Sequence, residues 1–153
     1  KYFTINFDVS NYTKNDKDKL FIARMLGYKD KLAYASTIKK GNIISTRTKT
    51  LGTYTLATDI ETPKIRPINF KDGKWLSKYR YLKLKISDGV SGIKNYRAII
   101  NGTWVLMEYD AKRSMLTYDF NDNIITETKN NLKIIVTDNV GNSSTFEAVF
   151  YRK

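Results

Sequence analysis

Three aspartates carry the first chemical possibility in this chain. Asp88 sits in SDGVSGI and Asp138 in TDNVGNSS, and both stretches place Asp, then Val, then Gly directly after an alternating apolar run. Asp59 lies just before Pro63 and Pro67, the only prolines in the sequence. A carboxylate in such a turn can accept backbone N–H groups ahead of it, while Gly supplies positive φ. Three carboxylates brought together, with carbonyl oxygens from Asn139 or Asn142, would instead suit calcium, which takes six to eight oxygens. Neither loop has the dense acidic alternation of known calcium loops.

Other chemistry is excluded by residue type. The sequence holds no histidine and no cysteine. That removes imidazole bases, thiol nucleophiles and the usual zinc ligands. Disulfides within the chain are excluded too, so cysteine usage does not reveal the compartment. No serine–lysine or paired-carboxylate spacing stands out, and we expect no catalytic residue and no cofactor other than the calcium just described.

Aromatic side chains supply the second possibility. Tyr79, Tyr81, Trp104 and Tyr109 fall in strand-like segments, where a stripe on an exposed face would contact glycan or peptidoglycan. Aromatics on alternating strands also pair with one another across a sheet. Trp75 and Trp104 are expected to pack in the core or at an edge.

The formal net charge is +12, with eleven Lys/Arg against five Asp up to Ile60 and sixteen against ten acidic residues beyond it. So even a spread suits a lysine-rich solvated surface better than a nucleic-acid footprint. It is also compatible with weak attraction to anionic envelope polymers. No apolar run reaches membrane-spanning length. The chain starts KYFTINF, without an initiator Met, as a piece of a longer exported product would.

The elements that must position these residues read as strands. YFTINFDV alternates Phe3, Ile5 and Phe7 with polar neighbours, and LFIARML is short enough for a buried strand. KLAYASTI, NIISTRT and GTYTLAT follow. Residues 1–60 are expected to form a small or partial β domain, the end of an upstream sandwich. Asp59 to Lys64 reads as a linker and Ile65 to Phe70 as an edge strand, because the prolines force extended backbone. Beyond it YLKLKIS turns Leu82, Leu84 and Ile86 inward, and Asn101-Gly102 is the pair preferred for a two-residue type I′ turn between KNYRAII and TWVLMEYD. With MLTYDF, NLKIIVT and TFEAVFY this makes about seven strands over residues 61–153, an immunoglobulin-like or fibronectin-III-like sandwich. The expected fold class is all-β, two β-sandwich modules. In that topology the ends of the second and sixth strands and the start of the first share one pole. Asp59, Asp88 and Asp138 are then expected to meet at the domain junction, with Val90 and Val140 sealing the pole of the core.

The strings LGTYTLATDIETPKIRPINF, LKLKISDGVSGIKNYRAIINGTWVLMEYD and LKIIVTDNVGNSSTFEAVF resemble the C-terminal region of exported Bacteroidota proteins in which a lysostaphin-type zinc metallopeptidase domain precedes β-sandwich modules. The resemblance implies a parent acting on cell-wall peptide, a peptidase domain upstream as partner, and an envelope location. It carries over no catalytic position, since such peptidases need His and this chain has none. The expected role is a non-catalytic accessory tail, a spacer or a contact module for envelope and peptidoglycan, without nucleic acid and without a membrane span. The alternative is an independent adhesion or carbohydrate-binding module.

Overall fold

The computed structural model describes residues 1–27, 31–122 and 126–153. They fall into two compact units. The first holds residues 1–61, 89–92 and 139–141, and the second residues 62–88, 93–138 and 142–153.

In the first unit the chain forms β1 (Phe3–Asp8), α1 (Lys14–Lys19), β2 (Leu20–Leu26), β3 (Lys31–Tyr34), β4 (Ile38–Lys40), β5 (Ile43–Thr48) and β6 (Tyr54–Thr58). They make two three-stranded sheets, ordered β1-β5-β4 and β3-β2-β6. A small core gathers Val9, Leu20, Ile22 and Ile44. Leu20, Phe21, Ile22 and Ala23 are all buried, so this end of β2 is covered on both faces, which is why LFIARML shows no alternation. The Phe21 ring lies 5.6 Å from that of Tyr34.

Helix α1 was not expected from the sequence. It buries no residue, so it leaves no hydrophobic period to read. Its signature is the cap: Thr13 Oγ1 accepts the Asp16 N–H at 3.3 Å and donates to Asp16 Oδ2 at 2.6 Å.

The second unit is built from β7 (Lys64–Pro67), β8 (Lys74–Trp75), β9 (Tyr81–Ser87), β10 (Ile93–Ile100), β11 (Thr103–Val105), β12 (Glu108–Asp110), β13 (Met115–Asp119), β14 (Lys129–Asp138) and β15 (Ser143–Tyr151). A four-stranded sheet runs β12-β13-β9-β7 and a five-stranded sheet β11-β10-β14-β15-β8. The inward residues are those the alternation selects. Leu82, Leu84 and Ile86 from β9 and Leu132, Ile134 and Val136 from β14 are all buried in one core. Strand β7 lies at the edge of its sheet, as the prolines require, though it covers 64–67 rather than 65–70. At the hairpin Asn101 (φ 51°) and Gly102 (φ 80°) both take positive φ, as a type I′ turn demands.

TWVLMEYD departs from expectation. It is not one strand: β11 joins the five-stranded sheet and β12 the four-stranded one. Between them Met107 is buried and its carbonyl accepts the Tyr96 hydroxyl at 2.8 Å, which anchors the chain where it changes sheets.

One core group is left without a partner. Tyr118 is buried, and its hydroxyl makes no hydrogen bond among the described residues. Burial raises its pKa, with the Asp122 carboxylate adding to the effect. Tyr118→Phe removes an unsatisfied polar atom, so we expect stability at pH 7 to stay level or rise by about 1 kcal/mol. A raised folded-state pKa means the stabilisation is complete below the unfolded value, about 10, and is lost as pH climbs from there through the folded value. The variant should lack this part of the alkaline loss. Denaturant melts at pH 7 and pH 10.5 check both signs.

Candidate functional site

The outer face of the five-stranded sheet carries a groove. Alternation that sends Ile134, Ala148 and Phe150 inward sends Lys133, Glu147, Val149 and Tyr151 outward. The register aligns Trp104 with Ile99, Ile99 with Lys133, and Lys133 with Glu147, one row across four strands. Lys133 Nζ and Glu147 Oε1 pair at 2.9 Å along that row. The groove has a volume of about 470 Å³ and is lined by Asp72, Ile99, Gly102, Lys133, Glu147 and Val149, among others. Asp72 Oδ1 accepts the Val149 N–H at 2.6 Å and Gly73 N–H donates to the Val149 carbonyl at 2.8 Å, so this segment caps the edge of β15.

Two exposed tryptophans stand on the same sheet face. Trp104 on β11 is 55% exposed and Trp75 on β8 is 51% exposed. Trp75 stacks on Tyr151, with ring centroids 5.2 Å apart and planes 28° from parallel, and Lys153 Nζ lies 5.9 Å from the Trp75 centroid. A partly apolar groove with one ion pair, on a sheet face that also exposes tryptophan, suits a ligand offering both C–H faces and hydroxyls.

The four aromatics singled out from the sequence do not gather on one face. Trp104 stands on the groove's face, paired with Ile99. Tyr79 lies in the turn before β9, with Lys74 Nζ 4.7 Å from its ring centroid. Tyr81 points outward from the four-stranded sheet, its ring between Arg80 at 4.9 Å and Lys83 at 5.5 Å. Tyr109 turns inward, 5.8 Å from Tyr96, against the core. Trp75, expected to pack in the core or at an edge, stands on the edge strand β8 stacked on Tyr151, a residue the sequence reading did not single out. Parity along TFEAVFY already put Tyr151 opposite Phe146, Ala148 and Phe150.

Two of the three aspartates, Asp59 and Asp138, serve backbone N–H groups. In the first unit Asp59 is buried and accepts the N–H of Glu61 at 3.0 Å and of Ser91 at 2.9 Å. In the second unit Asp138 is fully buried and accepts Asn142 N–H at 2.8 Å and Asn142 Nδ2–H at 2.7 Å. Asp88, half-buried, brings a carboxylate oxygen within 4.8 Å of one of Asp138. Val90 and Val140 do not seal the second core. They are half-buried and lie in the segments 89–92 and 139–141, which group with the first unit. There Asn139 ties the two segments together, its Nδ2 donating to the Ser91 carbonyl at 2.8 Å and its N–H to the Gly92 carbonyl at 3.1 Å. Gly92 (φ 81°) and Gly141 (φ 90°) take the positive φ that the reversals need.

Residues 1–59 match the Zu5-like domain. No curated protein matches the chain. Among solved structures it is similar to the fibronectin(III)-like modules of Clostridium thermocellum CbhA, at 11% identity and TM-score 0.45, over 98% of this chain and 85% of that one. It is also similar to the endo-beta-1,4-mannanase from Thermotoga petrophila, at 11% identity and TM-score 0.45, over 62% of this chain and 21% of the mannanase. The fold is all-β, built of β-sandwich modules as the alternation predicts. No helix among the described residues is long and apolar enough to cross a membrane.

Proposed function

We propose that this chain is a non-catalytic accessory region of an exported, cell-wall peptidase-like protein, and that its second unit contacts envelope glycan through the outer face of the five-stranded sheet. The single observation that carries the contact is that this face combines the groove with exposed Trp75 and Trp104 and with Tyr151. Half-exposed indoles held on strands, Trp75 propped by its stack on Tyr151, are large apolar surfaces that lose little conformational freedom on binding. The inventory without His or Cys supports a binding role over catalysis, and the contact uses no cofactor. The peptidase parent and the envelope location rest on the sequence resemblance alone. The exposure of both tryptophans also suits the second reading, an independent carbohydrate-binding or adhesion module.

Co-sedimentation with purified peptidoglycan, beside a panel of immobilised glycans, tests the proposal at moderate salt. We expect the chain to pellet with peptidoglycan. Truncating a central interface tryptophan commonly costs about 2 kcal/mol, so Trp75→Ala/Trp104→Ala should weaken binding at least about tenfold. Its melting temperature should hardly move, as both rings are half-exposed. Retention on one glycan of the panel but not on peptidoglycan selects the second reading. Binding that survives the double variant removes the groove from either.

A further inference from the structure

The four-stranded sheet has an outer face of different chemistry. Inward Ile65 and Pro67 leave Lys64 and Arg66 pointing outward from β7, and inward Leu82, Leu84 and Ile86 leave Lys83 and Lys85 outward from β9. Register places Arg66 directly opposite Lys85. Like charges directly opposite one another destabilise a strand pair. None of these four side chains forms an ion pair with a carboxylate among the described residues; the Asp119 carboxylate on this sheet is engaged by Arg80 at 3.0 Å. Glu108 and Asp110 stand on β12, at the opposite edge from β7. The face is thus polarised, with an uncompensated basic strip along β7 and β9.

We infer that this strip docks an anionic polysaccharide, a chain bearing a carboxylate on its repeating sugars. Two straight rows of cations, spaced about 7 Å along each strand, offer a charge at regular intervals to an extended polyanion. The guanidinium of Arg66 adds a fork that matches a carboxylate. Single-stranded nucleic acid fits worse. Its binding to a sheet relies on free aromatic faces for stacking bases. The one aromatic here, Tyr81, has Arg80 and Lys83 over its ring. A strip that keeps Arg66 against Lys85 gives up stability for binding, the pattern of a functional surface.

Affinity electrophoresis through gels containing polygalacturonate tests this independently of the groove. The wild-type chain should be retarded, and Arg66→Glu/Lys85→Glu should raise the apparent Kd at least about tenfold. Lys14→Glu/Lys94→Glu removes the same net charge from other exposed positions and should change it less than about threefold. Lys85→Glu alone should weaken binding while leaving the melting temperature level or higher, since it then opposes Arg66 with the other sign. Trp75→Ala/Trp104→Ala should leave the retardation intact, which separates this site from the groove. Equal losses in the two charge-reversed pairs, a wild type that is not retarded, or single-stranded DNA retarding the chain as strongly as polygalacturonate, would each overturn the inference.

Discussion

Asp138→Ala should lower the stability of the second unit by about 3 kcal/mol, a fall in Tm of roughly 12 °C or more for a unit of this size. The carboxylate is fully buried at the end of β14 and holds both the backbone N–H and the side-chain amide of Asn142, four residues on. A second backbone bond, Asp138 N–H to the Asn142 carbonyl at 3.0 Å, closes the same turn. Truncation leaves two donors of a nearly buried Asn without their acceptor, and hydrogen bonds to a charged group run about 1.5–3 kcal/mol each. Asp138→Asn keeps the shape and one carbonyl oxygen, so it should lose less. Repeating the melts with EDTA and with calcium separates backbone service from cation binding. If the carboxylate serves the turn, the deficit of the alanine variant is the same in both. A deficit that vanishes in EDTA would mean that Asp138 stabilises the protein by holding calcium.

Much of this second unit was legible because its strands bury one face. In YLKLKIS and NLKIIVT the period of two names the core residues directly, and Asn101-Gly102 names its own turn. What alternation cannot show is a change of sheet. Thr103 to Asp110 stays extended through most of its length, and only the burial of Met107 marks where the chain leaves one layer for the other. The groove was half visible. Trp104 was named, but Trp75 joins the face through β8, a two-residue strand running parallel to β15. Two residues give no period to read, and the pairing is set by Phe150 and Tyr151 at the far end of the chain. Asp138 forms a turn as its loop pattern leads one to expect, while Asp59, read as linker, forms one as well. Asp59 bonds two residues ahead, whereas Asp138 reaches four, a distance fixed by Gly141 and by the hairpin it closes.

Phe150→Ala should be the most damaging single change in the second unit, at about 3–5 kcal/mol. Phe150 is completely buried on β15, between β14 and β8. Its ring lies 5.7 Å from Phe120, which makes an edge contact with Tyr118 at 5.4 Å. Tyr118 belongs to β13 of the four-stranded sheet and Phe150 to the five-stranded sheet, so this aromatic chain joins the two layers of the sandwich. Arg152 locks the far side, its Cζ 4.1 Å from the Phe120 centroid while Nη1 donates to the carbonyls of Leu76 and Tyr79, each at 2.8 Å. Removing the Phe150 ring opens a cavity that these tethers keep from collapsing, which places the loss high in its range. A unit of this size has a total stability of about 5–10 kcal/mol, so the variant should sit near its unfolding threshold. Phe150→Leu fills most of the space and should lose less than about 1.5 kcal/mol. Both tryptophans lie in the second unit, so indole emission during a urea titration reports its unfolding alone. An alanine variant whose indole transition stays within 1 M urea of wild type, at an m-value of about 1–3 kcal/mol per molar, would mean that Phe150 does not join the two layers.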